Sequence, residues 1–147
     1  MSRWGRAAFG LLALIATVSS LMGAGVASAQ PDADGSLYGA LAISVDGSGA
    51  DIGSGFNYPD FDSADARALA ECATSGKSNC AIIVRFANGC GAIAEKDGRY
   101  VGRAGATRHE AEQAAIAAFG AVSPLAFGSS QPEQATLVTS ECTENAS

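Results

Sequence analysis

His109 is the one side chain in this sequence that could act as the base of a Ser-His-Asp or Cys-His arrangement. Such an arrangement needs the nucleophile and the base held within hydrogen-bonding reach by a third group. His109 instead lies beside Glu110 in the first turn of a predicted helix, where solvated polar residues are common, and no G-x-S-x-G element is present. We expect no catalytic role for His109 and no enzymatic activity.

The segment Asp46-Gly-Ser-Gly-Ala-Asp51 has carboxylates at a spacing that resembles a calcium loop. Such loops need oxygen ligands at alternating positions and a distal glutamate that binds through both of its oxygens. Ala50 occupies one of the ligand positions, and no glutamate follows at the required distance. A hairpin turn accounts for the same residues, so we predict neither a metal nor a cofactor.

Paired carboxylates could serve an envelope hydrolase, because glycoside hydrolysis uses an acid and a base on either side of the scissile bond. The available carboxylates share a position near the starts of two predicted helices. There, capping and the helix dipole already account for acidic side chains. We therefore keep the hydrolase as an alternative only; the residues concerned are Asp60, Asp62, Asp65, Glu110 and Glu112.

Residues 1–29 have the pattern of a cleaved secretory signal peptide. A basic start precedes an apolar run over residues 7–22, and Ala27-Ser-Ala29 forms an A-x-A cleavage site. The densest part of the run is shorter than the ~20 residues that a membrane span requires. We predict export to the cell envelope or the extracellular space, with no membrane span after cleavage.

The exported part of the chain is acidic. Cleavage leaves 118 residues with seven basic and fifteen acidic side chains, a net charge of −8. A chain with this charge and no basic cluster repels phosphate backbones, so we exclude nucleic acid as a partner. A length of 118 residues suits one domain with one core.

The exported chain repeats a strand-strand-helix-strand pattern. We predict a flexible leader at 30–36, one domain at 37–142 with repeats at about 37–89 and 90–142, and a tail at 143–147. Each repeat opens on a similar strand, YGALA in the first and CGAIA in the second. The fold class we expect is α+β, with both repeats in one mainly antiparallel sheet and both helices covering one face of it.

The two helices have recognisable starts. Asp60 follows Pro59 and is a suitable N-cap for a helix that runs to about Cys72. Thr107 and Glu110 have the spacing of a capping box, and the second helix is predicted to continue through Phe119.

Four cysteines in a small exported domain predict two disulfides, and spacing alone leaves three pairings open. Superposing the repeats places Cys72 on Phe119 and Cys80 near Ala135, so the second repeat lacks both cysteines. Joint absence is expected if those two positions bond each other. We therefore predict the disulfides Cys72–Cys80 and Cys90–Cys142. Cys90 and Cys142 are each predicted to lie just past the last strand of their repeat.

The pattern over Leu37 to Cys142 resembles the bacterial family catalogued as domain of unknown function 4189. The most specific element is F-x-N-x-C-G-A at Phe86 to Ala92, supported by the YGALA strand and by G-A-T-R-x-E-A-E. The resemblance implies a small exported protein and assigns no reaction or ligand. The family often has a further cysteine pair in its second half, and this chain has Phe119 there with no partner. The family's glycine-rich second strand usually has an aromatic residue after its first glycine, and Arg103 stands in the comparable stretch of this chain.

Two arginines interrupt predicted strands. Alternation places Arg85 and Arg103 on a solvent-facing sheet surface. A more specific hypothesis is that these two arginines form, together with Tyr58 and Tyr100, a sheet face that contacts a ligand or a partner. We expect a non-enzymatic binding module that contacts a protein or a cell-envelope component. The alternatives are the hydrolase and a protease inhibitor that uses the Ala121 to Gln134 connection.

Overall fold

The computed structural model describes residues 34–120 and 134–147. The predicted signal peptide, most of the predicted leader and all but the last residue of the Ala121 to Gln134 connection lie outside the described residues. The elements are β1 Tyr38–Asp46, β2 Gly49–Tyr58, α1 Phe61–Cys72, a short 3-10 turn Ala73–Ser75, β3 Ala81–Ala87, β4 Cys90–Lys96, β5 Arg99–Gly105, α2 Arg108–Ala117 and β6 Thr136–Cys142. This order matches the predicted repeat. We call β1 to β3 the N-terminal unit and β4 to β6 the C-terminal unit.

Both predicted helix starts are confirmed. The Asp60 carboxylate accepts a hydrogen bond from the Ser63 amide, and Thr107 and Glu110 form a complete capping box. The end of α2 differs from the prediction, because the helix stops at Ala117. The Phe119 amide there donates to Ile116 in a tighter turn, so Phe119 lies beyond the helix.

The prediction of one continuous sheet is wrong. The strands form two separate three-stranded antiparallel sheets, one ordered β2-β1-β3 and the other β5-β4-β6. The prediction that both helices cover one face is wrong as well, because α1 packs on the first sheet and α2 on the second. The two sheets contact each other through β3 with β5 and β4, and through β1 with β4.

The central strands explain this arrangement, because they are apolar on both faces. In β1, Ala40 packs against α1, while its neighbour Leu41 belongs to a cluster that joins the two sheets. In β4, Ala92 packs against α2 and Ile93 enters the same intersheet cluster. A strand buried on both faces needs a cover on each side. A helix covers one face, and the other sheet covers the second.

Phe86 fills the contact between the units at the middle of this cluster. It is 3% exposed, and its ring lies against two matching glycines, Gly39 of β1 and Gly91 of β4. A Cβ at either glycine would come within 2.5 Å of the ring. The glycine of each YGALA-type strand therefore provides half of the space for one aromatic side chain.

The predicted disulfides, Cys72–Cys80 and Cys90–Cys142, are confirmed. The prediction that Cys90 and Cys142 occupy matching positions in the repeat is wrong. Cys142 lies opposite Cys90 in the β4–β6 ladder, just as Ala87 lies opposite Tyr38 in the β1–β3 ladder. The second disulfide therefore joins neighbouring strands of one sheet across a sequence separation of 52 residues.

The link between the units is held by side-chain amides. Asn88, in a left-handed conformation with φ of 49°, accepts a hydrogen bond from the Leu37 amide at 2.9 Å and another from the Asn145 side chain. Asn57, also left-handed, accepts from the Glu144 amide at 2.8 Å. The tail is thus bound both to the junction and to β2.

Candidate functional surface

The four residues of the hypothesised partner face lie in different surroundings. Tyr58 is half-buried against the core beneath α1, and Tyr100 is half-buried against the intersheet cluster. Arg85 and Arg103 are exposed and lie on β3 and β5, two edge strands that contact each other. The two arginines point to opposite sides of the molecule, because Arg85 lies opposite Ala40 on the α1 side and Arg103 lies opposite Ala92 on the α2 side. The structure therefore does not bring the four residues together as one open face.

Arg85 has a carboxylate partner. Its Nε lies 2.9 and 3.0 Å from the two oxygens of Asp65 on α1, and its Nη2 also donates to that carboxylate. Because Asp65 binds this charged form, the pKa of Arg85 rises. Two-pronged binding of this kind fixes the arginine geometrically. Arg85 therefore connects β3 to α1, and Asp65 is engaged in that contact.

A lysine ammonium occupies the turn that resembled a calcium loop. Lys77 donates to the Asp46 carboxylate and lies 3.4 Å from an Asp51 oxygen, while Asp46 also accepts from the Ser48 amide at 2.8 Å. The lysine is the main cause that lowers the pKa of Asp46, followed by the Ser48 hydrogen bonds. The same pairing raises the pKa of Lys77. The two carboxylates thus hold a cation that belongs to the chain itself.

Three of the other candidate carboxylates have structural partners, and the remaining one, Asp62, is exposed in the first turn of α1. Asp60 caps α1, and Glu110 accepts from the Thr107 amide in the capping box. Glu112 accepts a hydrogen bond of 2.6 Å from the Ser140 hydroxyl. Within the described ranges, no group of three or more His, Cys, Asp or Glu side chains is placed to hold a metal ion. His109 is exposed in the first turn of α2.

A shallow polar concavity lies at the β4–β5 turn. The Glu95 carboxylate accepts from the Gly98 amide at 2.6 Å, so it is part of the turn itself. The concavity is open to solvent and contains two acidic side chains and one basic side chain; its lining is Glu95, Lys96, Asp97, Gly98, Gln134 and Thr136.

Sequence reasoning missed the contact that joins α2 to β6. The Arg108 guanidinium donates to the Ser140 carbonyl and, at 2.7 Å, to its hydroxyl. Ser140 lies opposite Ala92 in its ladder, as Arg85 lies opposite Ala40. Both units therefore connect the third strand to the helix at the same position, with different residues. The repeat comparison would have pointed to this position.

The basic side chains of the two units differ in their partners. In the N-terminal unit Arg67, Lys77 and Arg85 each lie within 4.0 Å of a carboxylate oxygen. The described basic residues of the C-terminal unit form no such ion pair; they are Lys96, Arg99, Arg103 and Arg108.

Two of these unpaired cations, Arg99 and Arg103, are exposed on β5. We call the outer side of this strand, residues 99–105 with these two arginines, the β5 edge. It is the candidate functional surface, because it collects positive charge that no described carboxylate neutralises.

These features define a small two-unit α+β module held by two disulfides. The chain belongs to the family described as Domain of unknown function (DUF4189), which matches residues 38–144. The resemblance seen in the motifs is thereby confirmed. No helix among the described residues is long and apolar enough to cross a membrane. The two disulfides are consistent with an exported protein.

A solved structure with a similar chain is the NMR structure of Rv1813c from Mycobacterium tuberculosis. It is 23% identical, with a TM-score of 0.47, and the match covers 96% of this chain and 98% of that chain. No curated protein matches the chain.

Proposed function

We propose that this protein is an exported, non-enzymatic binding module that acts at or outside the cell envelope, with a protein or envelope component as its partner. The observation that carries the proposal is the unpaired positive charge on the β5 edge of an acidic protein. Arg99 and Arg103 are exposed there without a described carboxylate within 4.0 Å. Exposed charge of one sign can select and steer a partner of the opposite sign.

The roles of the carboxylates support a binding module over a hydrolase. An acid and base pair for glycoside hydrolysis must face one substrate bond from two sides. Four of the five candidates instead cap helices or pair within their own unit: Asp60 with Ser63, Glu110 with Thr107, Asp65 with Arg85, and Glu112 with Ser140. These groups are used to build the fold.

The test is capture from an envelope extract of the producing organism. The immobilised mature protein is compared with the same protein after reduction and alkylation of its four cysteines, once circular dichroism shows that the alkylated protein is unfolded. We expect a saturable partner that the folded protein retains and the alkylated protein does not. Equal retention by both forms, or no saturable partner at all, would contradict the proposal.

A further inference from the structure

The β5 edge has the properties of a strand that is open to pairing. β5 lies at the end of its sheet and pairs only with β4 among the described strands. Its outermost position leaves one row of main-chain groups without a strand partner. Along residues 99–105, one side-chain hydrogen bond to the main chain is described, from Arg103 to the Gly102 carbonyl at 2.8 Å. That donor belongs to the strand itself.

Two other edge strands are covered differently. On β2, the Ser54 amide donates to the Glu71 carboxylate of α1 at 3.2 Å. On β6, the Ser140 carbonyl accepts from Arg108 of α2. Each of these edges therefore has a helix side chain bound to its main chain. The main chain of β5 has no described hydrogen bond from a side chain of another element.

The arginines of the β5 edge share one face of the strand. Arg99, Val101 and Arg103 alternate with Tyr100 and Gly102, and residues two apart in a strand point the same way. Arg99 lies over the Phe119 ring at 5.8 Å from its centre, which places this face on the α2 side. At a rise of about 3.3 Å per residue, Arg99 and Arg103 are about 13 Å apart along the strand.

We propose that the β5 edge binds an extended acidic segment of a protein, which adds to the sheet as a further strand. Main-chain hydrogen bonds would supply affinity, and alternate side chains would supply specificity. The spacing selects two carboxylates four residues apart, opposite Arg99 and Arg103, with an apolar residue between them opposite Val101. The proposal rests on the binding function above and names the chemistry of the partner.

The charges favour this occupant. Arg103 now donates to a neutral carbonyl, and a carboxylate is a stronger acceptor for a guanidinium than a neutral oxygen is. Arg99 is positioned by its contact with Phe119, so part of the ordering needed for binding is already present. An anionic polymer without amides would use the charges and leave the open main chain of β5 unused.

The experiment compares two labelled peptides with equal charge by fluorescence anisotropy. One has the sequence Ser-Glu-Thr-Val-Thr-Glu-Ser, and the other replaces both threonines by proline, which cannot donate main-chain hydrogen bonds. We expect the threonine peptide to bind with an affinity that falls with added salt. The proline peptide should bind about tenfold more weakly or not at all.

The protein variants distinguish binding at the β5 edge from binding that depends only on the net charge of the protein. Arg103→Glu should weaken binding of the threonine peptide by about tenfold or more, and Arg99→Glu/Arg103→Glu should abolish it. Arg67→Glu is the matched control, because Arg67 is an exposed arginine of the other unit and the change in charge per residue is the same. We expect this control to bind as the wild type does, and circular dichroism to show that all variants fold.

Three outcomes would overturn the proposal. Equal binding of the two peptides would show attraction by charge without strand addition. Unchanged binding by Arg103→Glu would move the site elsewhere. Binding of neither peptide, with self-association of the Arg99→Glu/Arg103→Glu variant, would assign the arginines to protecting an edge strand from pairing. If that variant still captures the envelope partner, the proposed function stands and the β5 edge is not its site.

Discussion

The two units pack their helices on matching strands, but the residues beneath the helices differ. In the N-terminal unit, α1 lies on the bare main chain of β2 at Gly53 and Gly55. A Cβ at Gly53 would lie 2.1 Å from the Ala68 carbonyl oxygen of α1. The matching residues of β5 are Val101 and Arg103, as their partners in the central strands show. One unit therefore uses these positions for close packing, and the other carries an exposed arginine there.

The ends of the two helices are also attached differently. Cys72, 1% exposed, bonds Cys80 and attaches the end of α1 to the start of β3. Phe119 stands at the matching position of the C-terminal unit and packs against the α2 core, with Arg99 over its ring. The N-terminal unit therefore attaches the end of its helix to the next strand by a disulfide. In the C-terminal unit, the matching residue Phe119 makes only non-covalent contacts, one of them with the exposed Arg99.

The third strands show a further difference. A bulge inserts Ile83 into β3 and Val138 into β6 at the same place. Ile83 is half-buried against the intersheet cluster, and Gly102 of β5 lets that strand approach its carbonyl closely. Val138 is 42% exposed. The sheets are therefore in closer contact at β3 and β5, and β6 remains the more exposed third strand.

The largest expected effect comes from removing the disulfides one at a time as double alanine variants. Loop entropy predicts a loss in free energy of unfolding of about 4 kcal/mol for Cys90–Cys142 and about 2.5 kcal/mol for Cys72–Cys80. The difference arises because their sequence separations are 52 and 8 residues. Urea unfolding of both variants measures it. A larger loss from the Cys72–Cys80 variant would show that the covalent attachment of α1 dominates over chain closure.

A smaller effect is expected from adding one methyl group between α1 and β2. Gly53→Ala forces the helix away from the strand, because the nearest atoms belong to the helix main chain. We expect a loss of about 2 kcal/mol in free energy of unfolding, typical of overpacking.

Gly47→Ala is the control for this substitution. No atom lies within 4 Å of a Cβ at Gly47, so its stability should equal that of the wild type. Equal stability of the Gly53 and Gly47 variants would refute the close packing of α1 on β2.

The smallest effect concerns the lysine between the two aspartates. The pKa of Asp46 is lowered in the folded protein, mainly by Lys77, so this contact stabilises the fold above the unfolded pKa of about 4. That stabilisation is lost as the pH falls from there through the folded pKa. We expect Lys77→Gln to lower the melting temperature at pH 6 and the difference from the wild type to shrink below about pH 4.

Thermal unfolding followed by circular dichroism from pH 6 to about pH 2 measures this difference on both sides of the unfolded pKa of Asp46. Lys96→Gln is the control, because Lys96 has no described ion pair. A difference for Lys77→Gln that does not change with pH would show that packing, not the pairing of charges, is responsible.

Much of the local structure could be predicted, because its causes lie within a few residues. Asp60 and Thr107 start helices through hydrogen bonds that reach three residues along the chain. The disulfide pairing followed from comparing the repeats, since Cys72 and Cys80 are both missing from the second copy. The end of α2 was misplaced because alanine-rich sequence continues past Ala117 without a stop signal before Gly120.

The candidate surface was predicted only in part. Arg103 was singled out as a charge in a glycine-rich stretch, and the structure places it on an open edge strand. Arg85 was singled out as a charge within an apolar strand, but its partner Asp65 lies 20 residues away. Tyr100 and Arg103 are three residues apart on β5 and therefore point to opposite faces of the strand, and alternation alone does not show what covers either face. Arg99 was missed.

The sequence by itself determined the order of the elements, the helix starts, the disulfides and the family, because these depend on local hydrogen bonding or on matched patterns. Only the tertiary structure decided that the strands divide into two sheets. That choice depends on which surface covers the second face of β1 and β4, and Leu41, Ile93 and Phe86 meet there from both units. The same packing decides that Lys77 and Arg85 are paired, because their carboxylates come from elements that are distant in the chain.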